Sequence, residues 1–135
     1  LGIEVLAAAG NGGADAPPAY PAAQSGVIAV TAIDAKLRPY AHANHGDYIT
    51  FAAPGVDVWA AAPGSGGKYE SGTSYAVPFA TAVFALARLA QPGASPSALE
   101  KSLEAGAKDL GTPGKDSTFG WGLIRTRGGC GHAAG

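Results

Sequence analysis

The 135-residue chain is 47% hydrophobic and 14% charged, with a net charge of −1. This length fits one domain or part of one, and the apolar content excludes a disordered chain. The balanced charge excludes the electrostatic footprint of a nucleic-acid binder, and no run of like charges marks a membrane-surface patch. Cys130 is the only cysteine, so no internal disulfide can form. Leu1 stands where a translated chain carries Met, and Met is absent throughout; Leu1 therefore reads as a processed, cleaved or truncated start.

Residues 2–9 form a short apolar run closed by Gly10-Asn11-Gly12-Gly13, a buried strand leading into a loop. Pro17, Pro18 and Pro21 mark residues 14–25 as a surface loop. Residues 27–33 are β-branched and apolar on both faces, the clearest strand. Residues 38–46 form a polar loop holding His42 and His45, whose plain reading is solvated loop residues. A third strand is expected over 48–53, stopped by Pro54-Gly55, and a fourth, half-exposed strand over 56–59.

Residues 75–87 contain no charge, and an apolar helix of this kind is expected to be central and buried. It reads as too short and too rich in Ala to span a bilayer. Pro78 falls in its first turn, where a missing N–H costs little, and Gln91-Pro92-Gly93 ends it. Ser95-Pro96 opens a second helix with Leu99 and Leu103 on one face. Residues 120–124 return as a short apolar segment. Residues 128–135 read as a flexible tail, in which Cys130 and His132 make a poor metal site. The pattern implies an α/β fold, part of a mostly parallel sheet with the buried helix after Ser74, continuing into sequence outside this chain.

Ser74 sits where the N-terminus of that helix begins, and a helix start favours developing negative charge and has unpaired N–H groups. Taken alone such a serine is an N-cap. Asn11, at the C-terminal end of the first strand, carries an amide able to donate to an oxyanion; taken alone it is a turn residue. Gly10-Asn11-Gly12-Gly13 and Gly64-Ser65-Gly66-Gly67-Lys68 have the wrong spacing for a dinucleotide or phosphate loop.

In order, Ala8-Ala9-Gly10-Asn11, Ala53-Pro54-Gly55 and Gly72-Thr73-Ser74-Tyr75-Ala76-Val77-Pro78 resemble the subtilisin-like serine proteases, the subtilases. Their signatures are A-A-G-N, A-P-G and G-T-S-x-A-x-P, and Ser74 follows Asn11 by 63 positions, similar to the family spacing. The likeness runs from Val5 to about Ile124, so residues 1–127 are expected to be the C-terminal portion of a subtilase catalytic domain.

The resemblance implies a serine endopeptidase acting on a protein or peptide substrate through an acyl-enzyme. It implies that Ser74 attacks the carbonyl, with the Asn11 amide and the Ser74 N–H on the oxyanion. Gly72 and Thr73 would flank the substrate, and Ala8, Ala9 and Gly10 would wall the primary specificity pocket. Ala19 would lie near its floor, leaving room for a large side chain, and His42 would lie on the leaving-group side. No cofactor is required for this chemistry. Structural calcium would belong to a full domain, and Tyr20, Ala22 and the Asp47 region would offer oxygens to a weak cation site. The family also implies an extracellular or periplasmic location.

Two departures stand out. Tyr75 occupies a position where Met is commonest in the family. The family's Asp-(Thr/Ser)-Gly and His-Gly-Thr motifs, which carry the rest of the triad, occur nowhere in this chain. In a subtilisin, losing the serine or histidine alone lowers kcat by about 10⁶. The expected partner is therefore an N-terminal half carrying Asp and His. The rival expectation is a non-catalytic fragment or binding module that retains the scaffold.

Overall fold

The computed structural model describes residues 2–64 and 66–126. Three strands, β1 (Val5–Ala8), β2 (Val27–Ile33) and β3 (Ile49–Pro54), form a parallel sheet in the order β1-β2-β3. Val5 pairs with Val27 and Ala8 with Val30; the β2–β3 register shifts between Ala29 and Val30. At that irregularity Thr50 Oγ1 accepts the Ala29 N–H at 3.2 Å, so no backbone donor is stranded in the core. The apolar character of β2, broken only by the buried Thr31, is required because both faces of the strand are covered. Ile28, Val30 and Ala32 face one core with Phe51 and Ala53, while Ile33 joins Ala52 and Phe119 in a second cluster.

Helix α1 (Thr73–Ala90) lies across the first of these faces. Its buried residues, Thr73, Ala76, Ala80 and Phe84, follow helical spacing, and the small alanines allow close approach to the sheet. Phe84 meets Phe51 edge to face at 6.0 Å between centroids. Burial is confined to this stripe, whereas the sequence pattern predicts cover on every side. Phe79, Leu86 and Leu89 remain exposed. The helix is also longer than the uncharged run: its 18 residues, with a mean hydropathy of 1.3, satisfy the length and composition for a membrane crossing, which the sequence reading denied it. Arg88 extends it past Ala87 and pairs with Glu4.

Helix α2 (Pro96–Gly106) starts as the sequence predicts, with Ser95 Oγ accepting the Ala98 N–H at 3.2 Å and Leu99 and Leu103 buried. Residues 120–124 form bridges rather than a strand, pairing Leu123 with both Ala52 and Lys108. The fourth strand is displaced to β4 (Val58–Ala61) and forms an antiparallel hairpin with β5 (Gly67–Glu70). β5 lacks an alternating apolar signal and was not expected. Across this hairpin Trp59 and Tyr69 pack edge to face, centroids 5.0 Å apart. The expected tail at 128–135, with Cys130 and His132, lies outside the described residues.

Candidate active site

The C-terminal end of β1 and the N-terminal end of α1 meet. Ala9, fully buried, donates its N–H to Val30 O at 2.9 Å, and its carbonyl accepts from the Tyr48 hydroxyl at 2.6 Å. Gly10 follows at φ +110°, and a Cβ there would fall 2.6 Å from Asn44 Nδ2. Both the backbone angle and the space therefore demand glycine. Gly72 precedes α1 and is pinned through its N–H to Gly55 O at 2.8 Å, which gives the Pro54-Gly55 turn a purpose beyond ending β3.

Thr73 ties the two ends together. Its N–H and its hydroxyl both donate to Asn11 Oδ1 at 2.9 Å, and the same hydroxyl accepts the Gly10 N–H at 3.2 Å. A backbone N–H can only donate, so the Asn11 atom that receives it must be the amide oxygen. The amide is thus oriented, with Nδ2 left as a donor. A Cβ placed on Gly72 would stand 3.5 Å from that nitrogen, so the space beside Nδ2 borders position 72.

Ser74 is the second helical residue, not the cap, which is Gly72. Its side chain is exposed. Of the first N–H groups of α1, that of Thr73 goes to Asn11 and that of Tyr75 to Gly72 O at 3.0 Å. The Ser74 N–H has no acceptor among the described residues. A free N–H at a helix start, an oriented amide nitrogen and an exposed hydroxyl are what stabilising an anionic oxygen beside a nucleophile requires.

The structure therefore brings together Ala8, Ala9, Gly10, Asn11, Gly72, Thr73 and Ser74. Ala19 lies across Gly10, its Cβ 3.0 Å from where a Gly10 Cβ would stand. His42 is exposed and stacks edge-on against Tyr40 at 5.5 Å, bordering a hollow of about 430 Å³ shared with Asp34 and Val56. Asp34 braces that loop: hydrogen bonds from the Arg38 backbone and side chain hold its carboxyl below the usual carboxylate range. Neither His42 nor His45 hydrogen-bonds Ser74 among the described residues. A more apolar groove of about 310 Å³ between α1 and α2 borders Leu86, about 18 Å along the helix from Ser74 at 1.5 Å per residue, too far to serve it.

Asn44 was missed by sequence reasoning. It is a single polar residue between His42 and His45, and only the fold turns it toward Gly10. In the Asp47 region, where oxygens for a weak cation site were expected, the Asp47 carbonyl accepts from Lys115 Nζ at 3.0 Å. Among the described residues no group of three His, Cys, Asp or Glu side chains could hold a metal.

The Subtilase family model (Peptidase_S8) matches residues 1–122. The chain belongs to the subtilase family. It is 38% identical over 124 residues to the minor extracellular protease Epr of Bacillus subtilis (strain 168), covering 92% of this chain and 19% of that protein. It is 32% identical over 145 residues to fervidolysin of Fervidobacterium pennivorans, covering 92% of this chain and 21% of that protein. The crystal structure of fervidolysin, described as a keratinolytic enzyme related to subtilisin, superposes with a TM-score of 0.83 over 92% of this chain and 22% of that one at 30% identity. The prenylagaramide maturation protease PagA superposes with a TM-score of 0.77 at 28% identity, over 92% of this chain and 48% of that one. This subtilase chain thus spans about a fifth of the length of the curated relatives named here.

Proposed function

We propose that this chain is the C-terminal portion, residues 1–127, of the catalytic domain of a secreted serine endopeptidase. Ser74 Oγ attacks the scissile carbonyl while a base takes its proton. Asn11 Nδ2 and the Ser74 N–H stabilise the oxyanion. The proton passes to the departing amine, and water then hydrolyses the acyl-enzyme. Ala8, Ala9 and Gly10 wall the site for the residue before the scissile bond, Ala19 lies at its floor, and His42 stands on the leaving-group side. The observation that carries the reading is the Asn11 amide, whose oxygen is occupied by two Thr73 donors and whose nitrogen is left over.

The base and its orienting carboxylate come, on this proposal, from an N-terminal half that packs against β1 and α1. Two features support that arrangement. β1 has β2 on one side only in the described sheet, which leaves an edge able to accept a further strand. The exposed Phe79, Ala82, Leu86 and Leu89 form a second apolar stripe of helix-packing spacing. The absence of a histidine bonded to Ser74 among the described residues favours a second reading for the chain by itself, a non-catalytic module retaining the scaffold.

The test is peptide hydrolysis by the chain extended upstream into a complete catalytic domain. Ser74→Ala is expected to lower kcat by about 10⁶, the scale seen for the serine of a subtilisin, itself a family member. An unchanged rate, or an extended chain that hydrolyses nothing, would favour the binding module.

A further inference from the structure

Asn44 is 3% exposed and grips the residues on both sides of Asn11. Its N–H donates to Gly10 O at 3.0 Å. Its Oδ1 accepts the Gly12 N–H at 2.6 Å, and its Nδ2 donates to Pro17 O at 3.1 Å. The loop is closed down onto this amide: a Cβ on Gly10 would lie 2.6 Å from Asn44 Nδ2, and one on Gly12 3.3 Å from Oδ1. Asn11 is therefore held twice. Thr73 fixes its side chain from the helix, and Asn44 fixes its backbone from beneath the loop.

The second hold matters because Gly10, Gly12 and Gly13 flank Asn11 with residues of large backbone freedom. Thr73 alone would tether the amide oxygen, but the backbone carrying it could still shift about that tether. Hydrogen bonds to Gly10 and Gly12 together remove that freedom. We propose that Asn44 is a positioning residue for the oxyanion donor, holding residues 10–12 so that Asn11 Nδ2 points into the space beside Ser74. The inference rests on the oxyanion role of Asn11 proposed above. It differs from a purely structural role for Asn44 in one respect: its effect on turnover must pass through Asn11.

The test is a double-mutant cycle in the complete catalytic domain, using Asn44→Ala, Asn11→Ala and the pair, with folding checked by thermal unfolding. Asn11→Ala is expected to lower kcat by about 10²–10³, the scale of one oxyanion donor, known from a subtilisin. Asn44→Ala is expected to lower kcat by about 10- to 100-fold, as misplacement of a catalytic group does. KM should move by less than about threefold, because the lost interaction belongs to the transition state. In the Asn11→Ala background the Asn44 effect should shrink to less than about twofold. A peptide aldehyde, which forms an oxyanion on Ser74, should lose affinity on Asn44→Ala while the corresponding peptide product does not. If Asn44→Ala does not fold, Asn44→Ser, which keeps a polar group at the position, is carried through the same cycle.

An Asn44 effect of equal size with and without Asn11 would overturn the inference and leave the oxyanion reading standing. Asn11→Ala with an unchanged kcat would overturn both.

Discussion

Around Thr73, Gly10 and Asn11 are tied by three hydrogen bonds within a few ångströms, whereas further along the same helix Phe79, Leu86 and Leu89 are exposed. Both regions sit on α1, and the sequence offers the same apolar, small-residue composition throughout it. The difference lies in what each faces. The N-terminal end meets the end of β1, where Thr73 accepts the Gly10 N–H and donates twice to Asn11 Oδ1. The outer stripe is left exposed among the described residues. The contrast teaches that, on the proposed reading, the oxyanion side of the site would be assembled locally from this chain, while the base side would depend on a surface that is exposed among the described residues.

The comparison would break most visibly through the outer stripe. Leu86→Lys with Leu89→Lys should leave the thermal stability of this chain within about 0.5 kcal/mol of the parent, as exposed substitutions do. In a complete catalytic domain the same pair should cost about 3–6 kcal/mol, from about 1.5–3 kcal/mol per buried Leu. Equal, small effects in both would mean that the stripe is not covered.

At the inner end, Thr73→Val keeps shape and removes the hydroxyl. It strands the Gly10 N–H and takes one of two donors from Asn11 Oδ1, so unfolding in denaturant should show a loss of about 1–3 kcal/mol. Turnover by the complete domain should fall by about tenfold from the loosened amide. A stability loss without any loss in kcat would separate the tether from the chemistry.

The smallest effect concerns α2, away from both regions. Burial, and then the neighbouring Glu104, push the Glu100 carboxyl above its usual range. A raised acid favours its protonated form in the fold, so this contribution is present below the unfolded value and lost as pH rises through the folded one. Glu100→Gln should therefore raise stability at neutral pH by about 0.5 kcal/mol or less, given its partial exposure. The gain should vanish in acid melts below the carboxylate range, and a gain that persists there would point to another cause.

Much of this was legible because the relevant signals are local. The β-branched, largely apolar run of β2, the Ser95-Pro96 cap and the Gly72–Pro78 motif each carry their own physics within a few residues. The hairpin was not legible, since Gly67, Lys68 and Glu70 give β5 no alternation, and the Trp59–Tyr69 contact across it becomes visible only in the fold. The bare side of α1 was hidden because periodicity reports apolarity, not whether a neighbour is present to cover it. Asn44 was hidden for the opposite reason: its meaning lies entirely in contacts with Gly10, Gly12 and Pro17, which are 27 to 34 positions away. The roles proposed for Ser74 and Asn11 follow from the resemblance to the subtilases, and the geometry adds how Thr73 ties Asn11 to the start of the helix.

The most direct test of the central claim is labelling by a fluorophosphonate probe, with the adduct located by mass spectrometry. Such a probe reacts with a serine only when a base activates it. The account predicts an adduct on Ser74 when this chain is joined to, or mixed with, the upstream half carrying Asp and His, and little or none on the chain alone. Failure to label Ser74 in the complete domain would contradict it, as would labelling of the isolated chain at the same rate.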